Sequence, residues 1–505
     1  MRMKLLLRGV AVALVALTLS ACSGGVVPEP SLSPAAVPAE YQKYYSQVLE
    51  WSDCHEDMKC AMAIAPLDWA EPAGETIELA LIRHSGSASK KLGSLFVNPG
   101  GPGASGVNFV ADSLDYAVSG AVKKNYDVIG FDPRGVGASS SVVCVDSAAQ
   151  MDEFLFGALD VVRESPEWLD ERGAASAEFA QGCLERTGDL LAHVDTVSAA
   201  RDLDMLRAVV GDRQLNYLGY SYGTLLGAIY AENFPGNVGR MVLDGALDPS
   251  STSFDVNLTQ SIGFENALRA YLTDCLEGSD CPFSGTVDSA MSQISLLLSD
   301  LETEPLTASD GRYLGADAMI TAIIAPLYNQ EAWSYLSEVF TAVNEGDADT
   351  AFGSVDWYYS RNEDGSYADN STESFLAINC LDYPVVSDAA RWAADAVVLK
   401  EKAPVIGPYL AFGDQLCSEW PFPAVMAPHT VSAQGAGDIL VIGTTGDPAT
   451  PYRWAKSLAA QLEGGHLVTY NGEGHTAYNK SNSCVNDAVD GFLLRGKVPA
   501  TDPNC

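Results

Sequence analysis

The chain has 505 residues, a formal net charge of −37, eleven cysteines and six histidines. With 47% apolar and 19% charged residues it can build a large core, which excludes wholesale disorder. Acidic side chains number 66 against 29 basic ones, and this excludes nucleic acid as a partner, because phosphate binding needs basic stripes.

Residues 1–21 read as a secretory signal: Arg2, Lys4 and Arg8, then the apolar run Val10–Leu19, then Ser20-Ala21. The run is too short to span a bilayer, which takes about 20 apolar residues. Leu19-Ser20-Ala21-Cys22 resembles the bacterial lipobox, and that resemblance implies acylation of Cys22. The expectation is an exported protein held at the outer face of the cytoplasmic membrane by that lipid alone, or later released from it. Residues 22–44, with Pro28, Pro30, Pro34 and Pro38, predict a semi-extended tether.

The other ten cysteines form an even set, which in an exported chain favours disulfides. Cys54/Cys60, Cys275/Cys281 and Cys484/Cys505 suggest local staples, and the remaining connectivity stays open. No CxxC or HExxH occurs and the histidines are scattered, so neither a metal nor a cofactor is expected.

Short apolar runs ending in Gly, Asp or Pro read as buried parallel strands. In chain order they are Ser94–Val97, Val128–Phe131, Leu215–Leu218, Met241–Leu243, Ile439–Ile442 and Leu467–Tyr470. Helical stretches lie between them, such as Asp195–Val210, which carries Leu203, Leu206 and Val210 on one stripe. From about Pro249 to Ala436 the pattern turns helical, with Phe264–Leu276, Val287–Leu301, Asp317–Ala325 and Glu331–Asn344 as candidates. The predicted fold class is α/β: a mostly parallel sheet flanked by helices (45–248 and 437–505), interrupted by a large helical cap (249–436).

Three places carry chemistry. Gly219-Tyr220-Ser221-Tyr222-Gly223 follows the strand Leu215–Leu218 and opens the helical run Thr224–Phe234. That strand–turn–helix context is what a nucleophile elbow requires, with Ser221 projecting from the end of the sheet. Asn98-Pro99-Gly100-Gly101-Pro102-Gly103 follows an early strand and can turn backbone N–H groups toward a developing oxyanion. The amides of Gly101 and Tyr222 are the predicted oxyanion donors. A phosphate-cradling loop would need a Lys-Ser/Thr after the glycines, and none follows. Finally, Asp447 follows the strand Ile439–Ile442, and His475 follows Leu467–Tyr470. This gives the chain order Ser…Asp…His, with His475 as base and Asp447 holding its tautomer.

Asn98–Gly106, Asp132–Ser139 (DPRGVGAS), Gly219–Thr224, Leu243–Gly245 and Gly446–Pro451 together resemble the secreted tripeptidyl aminopeptidases of actinobacteria. These stand within the proline-iminopeptidase-like α/β-hydrolases. The resemblance covers about residues 45 to 505 and implies a Ser/Asp/His exopeptidase that removes short peptides from free N-termini under a helical cap. Ser221, Asp447 and His475 fall on its catalytic positions, and Gly101 and Tyr222 on its oxyanion positions. The expected partners are peptide substrates with a free N-terminus, and the enzyme is expected to be a monomer. An esterase of small acyl or cell-envelope esters would use the same machinery and remains the alternative. A free-amine preference requires a carboxylate to receive the ammonium. Glu373 and Asp382, beside Cys380, are nominated.

Overall fold

Alternating burial along each strand shows how the sheet is built. Leu95 and Val97 join one apolar cluster, while Phe96 between them joins another on the opposite face. Leu440 and Ile442 likewise share the first cluster, and Ile439 and Val441 the second. Side chains point to opposite faces with period two, so a strand apolar at every position must be covered on both sides. The computed structural model describes residues 37–157 and 161–505. The predicted signal, Cys22 and most of the tether lie outside the described residues.

Nine strands make one sheet: β1 (Ser52–Asp53), β2 (Met58–Pro66), β3 (Thr76–His84), β4 (Ser94–Asn98), β5 (Asp127–Phe131), β6 (Leu215–Tyr220), β7 (Val238–Asp244), β8 (Ile439–Gly446) and β9 (Gly465–Glu473). Their spatial order is β1-β2-β3-β5-β4-β6-β7-β8-β9. From β5 to β9 all pairings are parallel, while β1, β2 and β3 add an antiparallel edge. All six predicted strands are present, and the antiparallel edge is an addition to them. Tyr44, within the stretch read as tether, is buried, and its neighbours Tyr41 and Tyr45 also pack on Trp69.

One face of the sheet is covered by Gly106–Ala117 and Ser483–Arg495, the other by Thr196–Val209, Tyr222–Asn233 and Arg453–Gln461. Between β7 and β8 run the long helices Ser253–Glu277, Val287–Thr303, Ala316–Leu327 and Trp333–Asn344, then Asp349–Tyr358, Ser371–Asp382 and Ala389–Lys402. Most of them close on a cluster of their own. In Val287–Thr303 the buried residues Ala290, Met291, Ile294, Leu298 and Leu301 recur at helical spacing and form the inner stripe. Pro326 lies inside its helix, just past the predicted end at Ala325. It sits in the last turn, and the helix closes one residue later at Leu327.

Five disulfides are present: Cys54–Cys60, Cys144–Cys183, Cys275–Cys281, Cys380–Cys417 and Cys484–Cys505. Three are the local staples read from the sequence. The other two join residues 39 and 37 positions apart, a distance over which spacing carries no signal. Among the described residues no helix is long and apolar enough to cross a membrane, and no cluster of side chains has the make-up of a metal site.

Candidate active site

Ser221 follows β6 and precedes the helix Tyr222–Asn233 with φ 55° and ψ −126°. A non-glycine residue in that region is strained and has to be held by its surroundings. Its N–H donates to the main-chain carbonyl of Asp244 at 2.9 Å, and its carbonyl accepts from the N–H and hydroxyl of Thr224 at 2.8 and 2.6 Å. The hydroxyl of Ser221 has no hydrogen-bond partner among the described residues.

The glycine-rich loop leans directly on this turn. Gly100 has φ +100°, and a Cβ there would stand 2.5 Å from the Tyr220 carbonyl and 2.8 Å from Ser221 Cβ. Only glycine permits that approach. The buried Asn98 side chain accepts the N–H of Gly100 at 3.0 Å, which leaves the Gly101 N–H as the next donor along the loop. Neither the Gly101 nor the Tyr222 N–H has an acceptor among the described residues. Asp132 ties this loop to the one after β5, accepting from Ser105 Oγ at 2.6 Å, Val107 N at 3.0 Å and Ala138 N at 2.8 Å. Burial pushes its carboxyl up, and those donors offset part of the rise.

His475 and Asp447 meet as expected. His475 Nδ1 lies 2.9 Å from both carboxylate oxygens of Asp447. Asp447 also accepts from Ala449 N at 3.0 Å, Thr450 N at 2.8 Å, Thr450 Oγ1 at 2.9 Å and Thr476 N at 3.2 Å. Both oxygens are therefore satisfied, as a buried carboxylate requires. The main-chain N–H of His475 donates to the Tyr328 carbonyl at 2.8 Å, and the Tyr328 ring stands edge-on to the imidazole, centroids 5.4 Å apart. Gly245, next to the residue that anchors Ser221, has φ +70°, and a Cβ there would come within 3.1 Å of His475 Cε1. Nε2 of His475 and the Ser221 hydroxyl are not joined by a hydrogen bond.

The two nominated carboxylates lie on the helix Ser371–Asp382 and are buried. Glu373 accepts the N–H of Cys144 at 2.6 Å and that of Val145, beside the Cys144–Cys183 disulfide. Asp382 accepts Thr196 N at 2.9 Å and Thr196 Oγ1 at 2.6 Å, and burial pushes its carboxyl up to about 7. Each would have to exchange an internal donor for a substrate ammonium. By contrast, Glu473, half-buried two residues before His475, accepts no hydrogen bond among the described residues. It lines a cavity of about 390 Å³ beside Asp447, with Thr259, Gly263, Gly446 and Arg453. Burial raises its carboxyl too.

Sequence reasoning missed Thr450, Tyr328, Thr196 and Glu473. Thr450 stands inside the quoted Gly446–Pro451 motif, three residues past Asp447, and was within reach. Tyr328 and Thr196 are brought to the site only by tertiary packing.

This sheet order, with a strained serine after β6, an acid after β8 and a histidine after β9, defines an α/β-hydrolase of the serine-hydrolase class. A family model described as "TAP-like protein" matches residues 403–505. The chain is similar to the serine protease Hip1 of Mycobacterium tuberculosis, with 34% identity over 91% of each chain. It is similar to a protein named tripeptidyl aminopeptidase from Streptomyces lividans, with 32% identity over 90% of this chain and 86% of the other. A Mycobacterium tuberculosis protein named carboxylesterase B is 34% identical over 90% of this chain and 89% of its own. The chain belongs to the tripeptidyl-aminopeptidase-like family of serine hydrolases.

Proposed function

We propose that the protein is an exported serine exopeptidase that releases short peptides, in the first instance tripeptides, from free N-termini. The observation that carries this reading is the Asp447–His475 pair at 2.9 Å beside the strained Ser221. In the proposed reaction, His475 Nε2 takes the Ser221 hydroxyl proton while Oγ attacks the scissile carbonyl. The N–H groups of Gly101 and Tyr222 receive the oxyanion. Collapse expels the amine, which leaves with the proton from His475, and a water then releases the acyl group by the same route. Asp447 stabilises the imidazolium, and Thr450 keeps its second oxygen in place.

The relatives named as a serine protease and a tripeptidyl aminopeptidase support the peptidase reading. The five disulfides support export. Anchoring through acylated Cys22 follows from the sequence motif. The helices between residues 249 and 436 act as the cap, a role supported by the contacts of Tyr328 with His475. The ammonium is received by a carboxylate near the cleft: Glu473, which has no side-chain partner among the described residues, is the candidate, while the nominated Glu373 and Asp382 are taken up by internal donors.

An esterase is the second reading, favoured by the relative named carboxylesterase B. Chromogenic amides one to four residues long and the matching esters, each with free and acetylated amines, separate the two. A peptidase of this kind loses activity on acetylation, and an esterase does not. Ser221→Ala should lower kcat by roughly 10⁴- to 10⁶-fold. An active Ser221→Ala protein, or a wild-type protein left unlabelled by a serine-directed phosphonate, would overturn the reading.

A further inference from the structure

Three helix ends converge behind the elbow. Thr196 opens the helix Thr196–Val209 and Tyr222 opens Tyr222–Asn233, while Asp382 closes Ser371–Asp382. All three are buried. Thr196 has one hydroxyl hydrogen, and it goes to Asp382 Oδ2 at 2.6 Å, while its N–H goes to Asp382 Oδ1. The Tyr222 phenol, within hydrogen-bonding distance of Thr196 Oγ1, is then the donor of that bond. With Asp382 ionised the polarity runs one way: phenol to hydroxyl to carboxylate. Asp382 also stands at the N-terminus of the helix it binds, where a negative charge is favoured.

We propose that Asp382 and Thr196 are positioning residues for the oxyanion donor, gripping Tyr222 by its phenol so that its N–H stays aimed at the reacting carbonyl oxygen. This rests on the proposed reaction, in which that N–H binds the oxyanion. Tyr222 is held at two ends: its backbone follows the strained Ser221, and its ring tip is tied to segments 26 and 160 residues away. Apolar packing would hold the ring in place without fixing its tip. A buried carboxylate is costly to retain, and an apolar core often replaces one at no loss of stability, so its presence points to a demand for direction. Both Asp382 oxygens are occupied and the residue is 1% exposed, which turns it away from the amine-receiving role first read from the sequence.

The test uses Thr196→Val, which keeps the shape and removes the hydroxyl, Tyr222→Phe, which removes the phenol, and Thr196→Ser, which restores the hydroxyl. Thr196→Val and Tyr222→Phe are expected to lower kcat on a free-amine tripeptide amide about 10- to 100-fold, with KM within about twofold. Affinity for a peptide boronate that mimics the tetrahedral state should fall by the same factor, and Thr196→Ser should recover most of both. Hydrogen exchange at the Thr224 amide, which donates to the Ser221 carbonyl across Tyr222, should quicken in Thr196→Val and return in Thr196→Ser. Unchanged kcat and boronate affinity would overturn the proposal, as would a rise in KM alone. Unchanged exchange would overturn it independently of activity. Quickened exchange in a protein whose Ser221→Ala variant loses no activity would leave the grip real and sink the reaction it was meant to serve.

Discussion

The main-chain carbonyl of Asp244 accepts the N–H of Ser221 at 2.9 Å, while its carboxylate accepts the amides of Ala477 and Tyr478 at 2.8 to 3.1 Å. One residue at the end of β7 thus holds both the elbow and the loop that follows His475. Its side chain is fully buried, and that burial raises its carboxyl. The relative placement of the proposed nucleophile and base is therefore set by a residue that touches neither functional group.

Asp244→Ala removes the carboxylate and leaves the amides of Ala477 and Tyr478 without their acceptor. We expect kcat to fall about 10- to 100-fold with KM little changed, because the base is displaced and the peptide-binding surface is not. Stability should fall by about 1 to 3 kcal/mol, the cost of leaving buried donors unsatisfied. Steady-state kinetics and denaturant unfolding on the same variant check both.

Glu473 and Glu373 should part company when neutralised. Glu473→Gln is expected to narrow the kcat/KM ratio between free and acetylated peptide amides about tenfold, since a charge-assisted bond to the ammonium is lost. Glu373→Gln should leave that ratio intact and lower Tm, because its carboxylate accepts the Cys144 and Val145 amides. Paired substrates and thermal unfolding decide between them.

Asp382 makes stability depend on pH in a stated direction. Its carboxyl sits at about 7 in the folded chain, raised by burial and by nearby Asp195 and lowered by the two Thr196 bonds. An unfolded Asp titrates at about 4. Between those values the folded state binds more protons, so the contribution is full below about pH 4 and is lost as pH rises through about 7. Asp382→Asn should flatten the fall across that window, by at most about 4 kcal/mol. Unfolding free energies of both proteins at pH 4.5 and 7.5, within about that window, give the difference.

Arg134 and Asp202 form a buried two-pronged pair, both contacts at 2.7 Å, with Trp69 Nε1 on the same carboxylate at 2.9 Å. The guanidinium also donates to the carbonyls of Pro66, Leu67 and His193. Arg134→Met should destabilise by about 3 to 5 kcal/mol, since it strands a buried carboxylate. Urea unfolding measures this, and an equally stable variant would refute it.

What the sequence discloses is local. Val441 and Ile442 before Gly443, or Leu218 before Gly219, announce a parallel strand, which runs on past the glycine to Gly446 and to Tyr220, and the proposed triad lies just beyond such strands. The antiparallel edge escaped because β2, Met-Lys-Cys-Ala-Met-Ala-Ile-Ala-Pro, places alanine at three of its nine positions and has a single β-branched residue, so its strand preference is weak. The Asp382–Thr196–Tyr222 chain escaped for another reason. Its members are far apart in sequence, and Asp382 beside a cysteine reads equally well as a binding acid. Only folding shows that its oxygens are spoken for.

The Tyr328 carbonyl and the His475 N–H, 2.8 Å apart, join the helical segment to the loop that carries the base. That bond limits how substrate can arrive. A wide swing of the helices away from the sheet would pull on the imidazole it uncovers and disassemble the machinery at the moment of entry. Access with the base intact is left to openings that keep this bond closed. Under the proposed exopeptidase function, an opening that keeps this bond closed would favour a single extended chain end over the loops of a folded protein, and a preference for termini would follow from where one carbonyl is tethered.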